Sequence, residues 1–222
     1  MTPPKALLSW SSGKDAAWAL HVLRLAGEVE VVGLLTTTNT AFDRVAMHGV
    51  RETLLEAQAE AAGLPLWKVP LPWPCPNEAY EARMAQACVD AVNQGIEAMV
   101  FGDLFLKDVR DYRIQKLAGT GLTPLFPLWG RDTAILAREM VAAGLKATLV
   151  CVDPKVLEAS FAGRDFDEAL LTDLPPSVDP CGERGEFHTF VWDGPMFRHP
   201  VPIRRGEVVE RVGFVFADLV PL

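Results

Sequence analysis

The chain has 222 residues, half of them hydrophobic, so it can bury one or two domain cores without a disulfide framework. Its 21 basic and 29 acidic residues give a formal net charge of −8, which argues against a strongly basic protein that coats nucleic acid. The apolar composition also excludes an intrinsically disordered chain.

The amino-terminal residues and the cysteines indicate a reduced, cytoplasmic protein. The first ten residues lack the regions of a signal peptide, and no run of about 18 apolar residues predicts a membrane span. No C-x-x-C pair exists for zinc or redox chemistry, and the cysteines are too irregularly spaced for a disulfide framework: Cys75, Cys88, Cys151 and Cys181.

Short apolar runs alternate with longer helical patterns over the first two thirds of the chain. This alternation predicts an α/β domain with a five-stranded parallel sheet covered by helices on both faces. Strands are predicted over residues 5–9, 30–38, 66–70, 98–102 and 146–152, and helices over 14–26, 49–62, 77–94, 109–118 and 133–143. Asp132 is the expected N-cap of the last helix, and Gly63 is expected to end the second, whose core-facing apolar stripe includes Leu54.

The pattern changes after residue 153. Short helices reach to about residue 174, and Gly- and Pro-punctuated strands follow over residues 186–192, 201–205 and 208–216. We therefore predict two domains, residues 1–153 and residues 154–222, of which the second is a smaller α+β unit.

The segment between the first strand and the first helix is Ser9-Trp-Ser-Ser-Gly-Lys-Asp-Ala16. Backbone N–H groups of such a turn and of the helix N-terminus form a concave donor set for phosphate oxygens. Gly13 permits close approach, Ser11 and Ser12 add hydroxyl donors, and Lys14 adds a positive charge. The spacing matches neither the G-x-x-x-x-G-K-[ST] loop of the common phosphate-binding ATPases nor the G-x-G-x-x-G motif of the usual dinucleotide-binding fold. The alternative is a polar strand-to-helix turn with a Ser cap.

Ser11-Ser-Gly-Lys-Asp-Ala16 resembles the Ser-Gly-Gly-Lys-Asp-Ser signature of the PP-loop (N-type) ATP pyrophosphatases, with departures at Ser12 and Ala16. Within that superfamily the chain is similar to the diphthine–ammonia ligase (diphthamide synthase) family. The residues that carry this similarity lie at 47–51, 102–104, 126–129, 179–191 and 193–197. The resemblance implies a Rossmann-like adenine nucleotide alpha hydrolase fold and cleavage of ATP to AMP and pyrophosphate.

The resemblance also implies an ATP-dependent, amide-forming ligase. An acceptor carboxylate attacks the α-phosphorus, pyrophosphate leaves, and ammonia opens the mixed anhydride. Lys14 is expected to stabilise charge on the phosphates. The acceptor would be diphthine on translation elongation factor 2 or a small molecule, and homo-oligomers are possible. Two alternatives stay open, a PP-loop enzyme that acts on tRNA or on another small molecule and a non-catalytic ATP-binding sensor.

Several side chains are predicted at the carboxyl edge of the sheet, where open α/β sheets bind ligands. Gly102 and Asp103 follow the fourth strand, and Asp103 and Asp15 are the candidates to hold Mg²⁺; a helix cap is the alternative for Asp103. Further candidates for binding ATP are Arg113 and Arg110 on the next helix, Thr36 and Thr37 at the end of the second strand, and His48.

The segment Pro180-Cys-Gly-Glu-Arg-Gly-Glu-Phe-His-Thr-Phe-Val191 concentrates polar and ionisable side chains. If residues 186–191 form a strand, Glu186 and His188 share one face and can take a proton from the incoming ammonium. Substrate contacts are expected from Glu183, Glu186, His188 and Thr189, and from Trp129. The alternatives are a zinc site that includes Cys181, a plain edge hairpin, and a core role for Trp129 beside Phe126.

Overall fold

The computed structural model describes residues 2–39, 44–45 and 50–222 of the chain. The sequence-predicted ATP contact His48 lies outside these residues. In chain order the first half of the elements are β1 Lys5–Ser9, α1 Lys14–Ala26, β2 Glu30–Asn39, β3 Arg44–Val45, α2 Glu52–Ala62, β4 Leu66–Leu71, α3 Asn77–Asn93 and β5 Ala98–Val100. There follow α4 Lys107–Leu117, β6 Thr123–Leu125, α5 Thr133–Ala142, β7 Lys146–Val152, a 3₁₀ turn Ala159–Phe161, α6 Glu168–Asp173, β8 Phe187–Asp193, β9 Ile203–Arg211 and β10 Phe214–Pro221.

The first sheet contains five parallel strands in the order β4-β2-β1-β5-β6, with short β3 antiparallel to the end of β2. The predicted five-stranded parallel sheet is therefore confirmed. Side chains of β1 alternate between two cores, as the period of a strand requires. Ala6 and Leu8 pack with α1, α2 and the second sheet, whereas Leu7 packs on the opposite face with α3.

The fifth parallel strand is not the one that the sequence predicts. Lys146–Val152 (β7) pairs antiparallel with β8 and β10 in a second sheet of order β8-β7-β10-β9, and Thr123–Leu125 (β6) takes the edge position beside β5. An apolar strand buried on both faces has the same composition in either sheet, so composition alone did not distinguish them. The division at residue 153 stays a prediction, although β7 hydrogen-bonds to strands that follow it.

The helix ends follow the predicted chemistry. The Asp132 carboxylate accepts a hydrogen bond from the Ile135 amide at 2.9 Å, which confirms it as the N-cap of α5. Gly63 ends α2 in the left-handed conformation, where glycine carries no steric penalty. Among the described residues, no helix combines the length and apolar character needed to cross a membrane.

The strands of the carboxyl-terminal hairpin have other bounds than predicted, and their turn lies elsewhere. The expected break at Gly206 is wrong because β9 continues through it to Arg211. The turn is formed by Val212 and Gly213, both of which have positive φ, as two-residue hairpin turns favour. Gly206 instead permits β10 to approach, because an added Cβ would lie 3.2 Å from the Cβ of Asp218.

Candidate active site

The carboxyl ends of β1 and β5 and the loop before β8 enclose a cavity of about 250 Å³. Most of the sequence-predicted site residues line it: Ser11, Gly13, Lys14, Asp15, Gly102, Asp103, Arg113, Glu183, His188 and Thr189. The larger groove of about 450 Å³ under the β9–β10 hairpin is lined by none of the predicted site residues. The motif residues thus identify the smaller cavity as the candidate active site.

The first turn of α1 opens directly onto this cavity. Its N-cap, Gly13, supplies no side-chain hydrogen bond to the helix, so the positive end of the helix dipole faces the cavity. Gly102 packs so closely that an added Cβ would lie 2.9 Å from the Ala16 nitrogen. Only glycine therefore lets the end of β5 meet this turn.

Strand β8 forms hydrogen bonds with the loop that precedes α1. The Ser12 carbonyl accepts a hydrogen bond from the Val191 amide at 3.0 Å, and the Lys14 amide donates to Thr189 Oγ1 at 3.1 Å. Ser12 itself has φ +71°, a left-handed conformation that side chains other than glycine adopt at a steric cost. Glycine adopts this conformation without that cost. Ser12 does not line the cavity, and its buried Oγ has no partner among the described residues.

Lys14 is almost completely buried, with 2% of its surface exposed. Its Nζ donates to both oxygens of Asp15, at 2.9 and 3.1 Å, and to the carbonyl of Cys181. Burial alone would lower the pKa of Lys14, but the charge of Asp15, its hydrogen bonds with Lys14 and the charge of Glu183 outweigh burial and raise that pKa. The ammonium is therefore positively charged and buried at the wall of the cavity.

Two further carboxylates, Asp103 and Glu183, lie on the other side of the cavity. Asp103 forms a bidentate ion pair with Arg113, at 2.6 and 3.1 Å, and the guanidinium stacks over Phe101 at 4.4 Å. Glu183 Oε1 accepts from the Leu104 amide at 2.8 Å. Burial raises the pKa of Glu183, the Leu104 amide opposes the shift, and negative Asp15 and Asp103 reinforce it. Burial likewise raises the pKa of Asp15 against the opposing charge of Lys14.

The carboxylate of Glu186 stabilises the loop before β8 and does not line the cavity. Its two oxygens accept from the amides of Asp179 and Arg184, at 3.0 and 2.9 Å, and the residue is buried. His188, two residues further along on β8, does line the cavity. Of the two predicted proton acceptors, only His188 faces the enclosed space.

Four other predicted residues, Thr36, Thr37, Arg110 and Trp129, lie away from the cavity lining. Thr36 is buried in β2 with Oγ1 unpartnered among the described residues, and Thr37 follows it in the same strand. The Trp129 ring lies 4.5 Å from the Arg110 guanidinium, which also covers Phe126. The cavity residues therefore do not include Trp129, which packs with its neighbours instead.

The described residues bring no three His, Cys, Asp or Glu side chains together as metal ligands. Cys181 Sγ lies 3.4 Å from the Thr133 carbonyl, and burial raises its pKa, so it stays a thiol. The cavity is nevertheless lined by three carboxylates, Asp15, Asp103 and Glu183, and by two cationic side chains, Lys14 and Arg113. Mg²⁺ prefers one or two carboxylates together with substrate phosphates, which this donor set fits.

Comparison with known proteins defines the family. A model of the diphthamide synthase N-terminal domain matches residues 4–121, and a model of the diphthamide synthase C-terminal domain matches residues 132–216. The chain belongs to the diphthamide synthase family. The chain is 25% identical to the diphthine–ammonia ligase of Bos taurus and 28% identical to that of Danio rerio. The two alignments each cover 94% of this chain, and 86% and 90% of the respective relative.

The same family includes a longer relative. The diphthine–ammonia ligase of Schizosaccharomyces pombe is 26% identical over 90% of this chain, which spans 36% of that protein. The aligned region therefore spans most of the Bos taurus and Danio rerio proteins and 36% of the fungal one.

One polar residue that contacts the loop beside the candidate site, Gln58, was missed by sequence reasoning. Gln58 lies on α2, fully buried, and contacts the loop that precedes α1. A signal was present, because Gln58 is one turn after Leu54, on the stripe of α2 that the sequence assigns to the core. A buried amide at such a position must have partners, and the loop supplies them.

Proposed function

We propose that this chain is an ATP-dependent ligase that converts a carboxylate into an amide with ammonia. Diphthine is the proposed acceptor, because the relatives are named diphthine–ammonia ligase. The observation that carries the proposal is the buried Lys14 ammonium beside the open N-terminus of α1 in a single cavity. That combination suits the triphosphate of ATP.

The ATP side of the proposed site comprises the loop and the ends of β1, β2 and β5. Phosphate oxygens would accept from backbone amides around Gly13 and face Lys14 and Arg113. Thr36 and Thr37, on the strand beside β1, are the candidates for the base or ribose. Asp15 and Asp103 would hold Mg²⁺, which when bound neutralises phosphate charge.

The acceptor side is proposed to lie against the loop before β8, where Glu183, His188 and Thr189 line the cavity. A carboxylate oxygen attacks the α-phosphorus, and the bond to the β-phosphate oxygen breaks with release of pyrophosphate. Ammonia then attacks the carbonyl carbon of the mixed anhydride, and AMP leaves with the former carboxylate oxygen. His188 is the preferred acceptor for the proton that ammonium must lose, because it faces the cavity while Glu186 binds backbone amides.

The test uses the purified chain with ATP, isotopically labelled ammonia and elongation factor 2 that carries diphthine. We expect a labelled amide on the factor, with AMP and pyrophosphate formed in equal amounts. Formation of ADP in place of AMP would contradict attack at the α-phosphorus. Parallel reactions with tRNA or with no acceptor distinguish the alternatives, since a sensor binds ATP in every mixture but releases no pyrophosphate.

A further inference from the structure

Gln58 connects three parts of the molecule that meet behind the candidate active site. Its Oε1 accepts from the Trp10 indole N–H at 2.9 Å, at the end of β1. Its Nε2 donates to the Ser12 carbonyl at 3.0 Å and to the Val191 carbonyl of β8 at 2.6 Å. Indole nitrogen only donates and carbonyl oxygen only accepts, so these partners fix which end of the amide is oxygen.

This network determines the direction of one peptide unit of the loop. The Ser12 carbonyl receives two hydrogen bonds, from Gln58 and from the Val191 amide, on the side away from the cavity. A trans peptide is planar with its carbonyl and N–H opposed, so the Gly13 N–H points the other way. It points towards Ser11 Oγ, which lines the cavity.

The Ser12 conformation needs such support. A non-glycine residue at φ +71° is strained, and strained backbone persists where several surrounding contacts determine it. Gln58 and Val191 supply those contacts from the core, and neither residue lines the cavity.

We infer that Gln58 is a positioning residue that holds the Ser12–Gly13 peptide with its N–H directed at bound phosphate. The inference rests on the proposed function, because it assigns phosphate to this cavity. Gln58 acts through the loop and touches no substrate itself. Its loss should therefore weaken binding of the phosphates and leave binding of the nucleoside unchanged.

The experiment measures the dissociation constants of inorganic pyrophosphate, ATP and adenosine by calorimetry for the wild-type chain and for Gln58→Leu. We expect the variant to bind pyrophosphate and ATP about tenfold more weakly, the value of one well-directed hydrogen bond to a charged group. Adenosine affinity should not change. Leu55→Ala is the matched control, because Leu55 is fully buried on the same helix and belongs to the hydrophobic core. It should lower the melting temperature without changing pyrophosphate affinity.

Unchanged pyrophosphate affinity in Gln58→Leu would overturn the inference while leaving the proposed function intact. Equal losses for pyrophosphate and adenosine would also overturn it, since that is the result of general loosening. If the wild-type chain binds neither ATP nor pyrophosphate, the proposed function fails and the inference with it. Should Gln58→Leu not fold, Trp10→Phe removes the indole donor that orients the amide, together with one ring of a buried side chain, and about a threefold loss of pyrophosphate affinity with unchanged adenosine affinity is expected.

Discussion

Replacing Ser12 by glycine should stabilise the protein. The residue combines a left-handed backbone with a fully buried hydroxyl that lacks a partner among the described residues. The backbone strain costs about 1–2 kcal/mol, and the unpartnered hydroxyl about 1–3 kcal/mol. Glycine removes both but adds about 0.5–1 kcal/mol of chain entropy to be lost on folding. The net gain for Ser12→Gly is therefore about 2 kcal/mol.

Two companion variants separate these contributions. Ser12→Ala removes the hydroxyl but keeps the strained backbone, so we expect a gain of only about 1 kcal/mol. Ser11→Gly is the control, because Ser11 does not have positive φ. It should lose about 0.5–1 kcal/mol through chain entropy, and in addition the hydrogen bond that Ser11 Oγ accepts from the Gly13 amide.

Thermal unfolding followed by circular dichroism measures all three. For a chain of this size we expect the melting temperature to rise by roughly 4–8 °C for Ser12→Gly and by roughly 2–4 °C for Ser12→Ala. A Ser12→Gly protein no more stable than the wild type would refute the reasoning about strain. Equal gains for the two Ser12 variants would show that the backbone strain is no larger than the extra chain entropy that glycine loses on folding, about 0.5–1 kcal/mol.

Three further predictions concern the site itself. Lys14→Ala should lower the rate of pyrophosphate release by about a hundredfold or more, because a preorganised charge is lost, and a wild-type rate would contradict the role of Lys14. Glu186→Gln should spare ATP binding, measured by calorimetry, but lower the rate of amide formation, because only one side-chain oxygen remains to accept from the Asp179 and Arg184 amides of the loop before β8; reduced ATP affinity would contradict this role. Glu183→Gln can keep the hydrogen bonds from the Leu104 and Phe105 amides through its carbonyl oxygen. Because the folded-state pKa of Glu183 is raised, ionisation destabilises the fold as the pH rises past its ordinary value of 4.5. Glu183→Gln should thus be the more stable protein at pH ~7, with the difference in unfolding free energy vanishing in acid, and a pH-independent difference would contradict the raised pKa.

Local signals predicted the elements that local chemistry determines. The bounds of α1 and β1 agree with the sequence pattern, and Asp132 and Gly63 mark helix ends as expected. The same signals cannot identify which strand pairs with which. Residues 146–152 are apolar enough for either sheet, and the three-residue strand at 123–125 contains a proline, so it gives no pattern of its own.

The site was predictable to the extent that its residues belong to a motif. The loop around Lys14 and the segment around His188 are far apart in the chain, yet the structure brings them into one cavity. What the motif could not reveal is how the residues are used. The Glu186 carboxylate, for example, accepts hydrogen bonds from backbone amides of its own loop.

The hairpin turn at Val212 was also not predicted. Its sequence lacks the Asn-Gly or Asp-Gly pair that marks most two-residue hairpin turns.

The hydrogen bonds from β8 to the loop before α1 have a consequence for protein engineering. Residues 12–14 and 181–191 come from the two halves matched by separate family models, yet each supplies partners to the other. A chimera that takes its amino-terminal half from one relative and its carboxyl-terminal half from another would combine hydrogen-bond partners from different parents between residues 12–14 and 181–191. Both stretches must come from the same parent for such a hybrid to keep the conformation of the loop before α1.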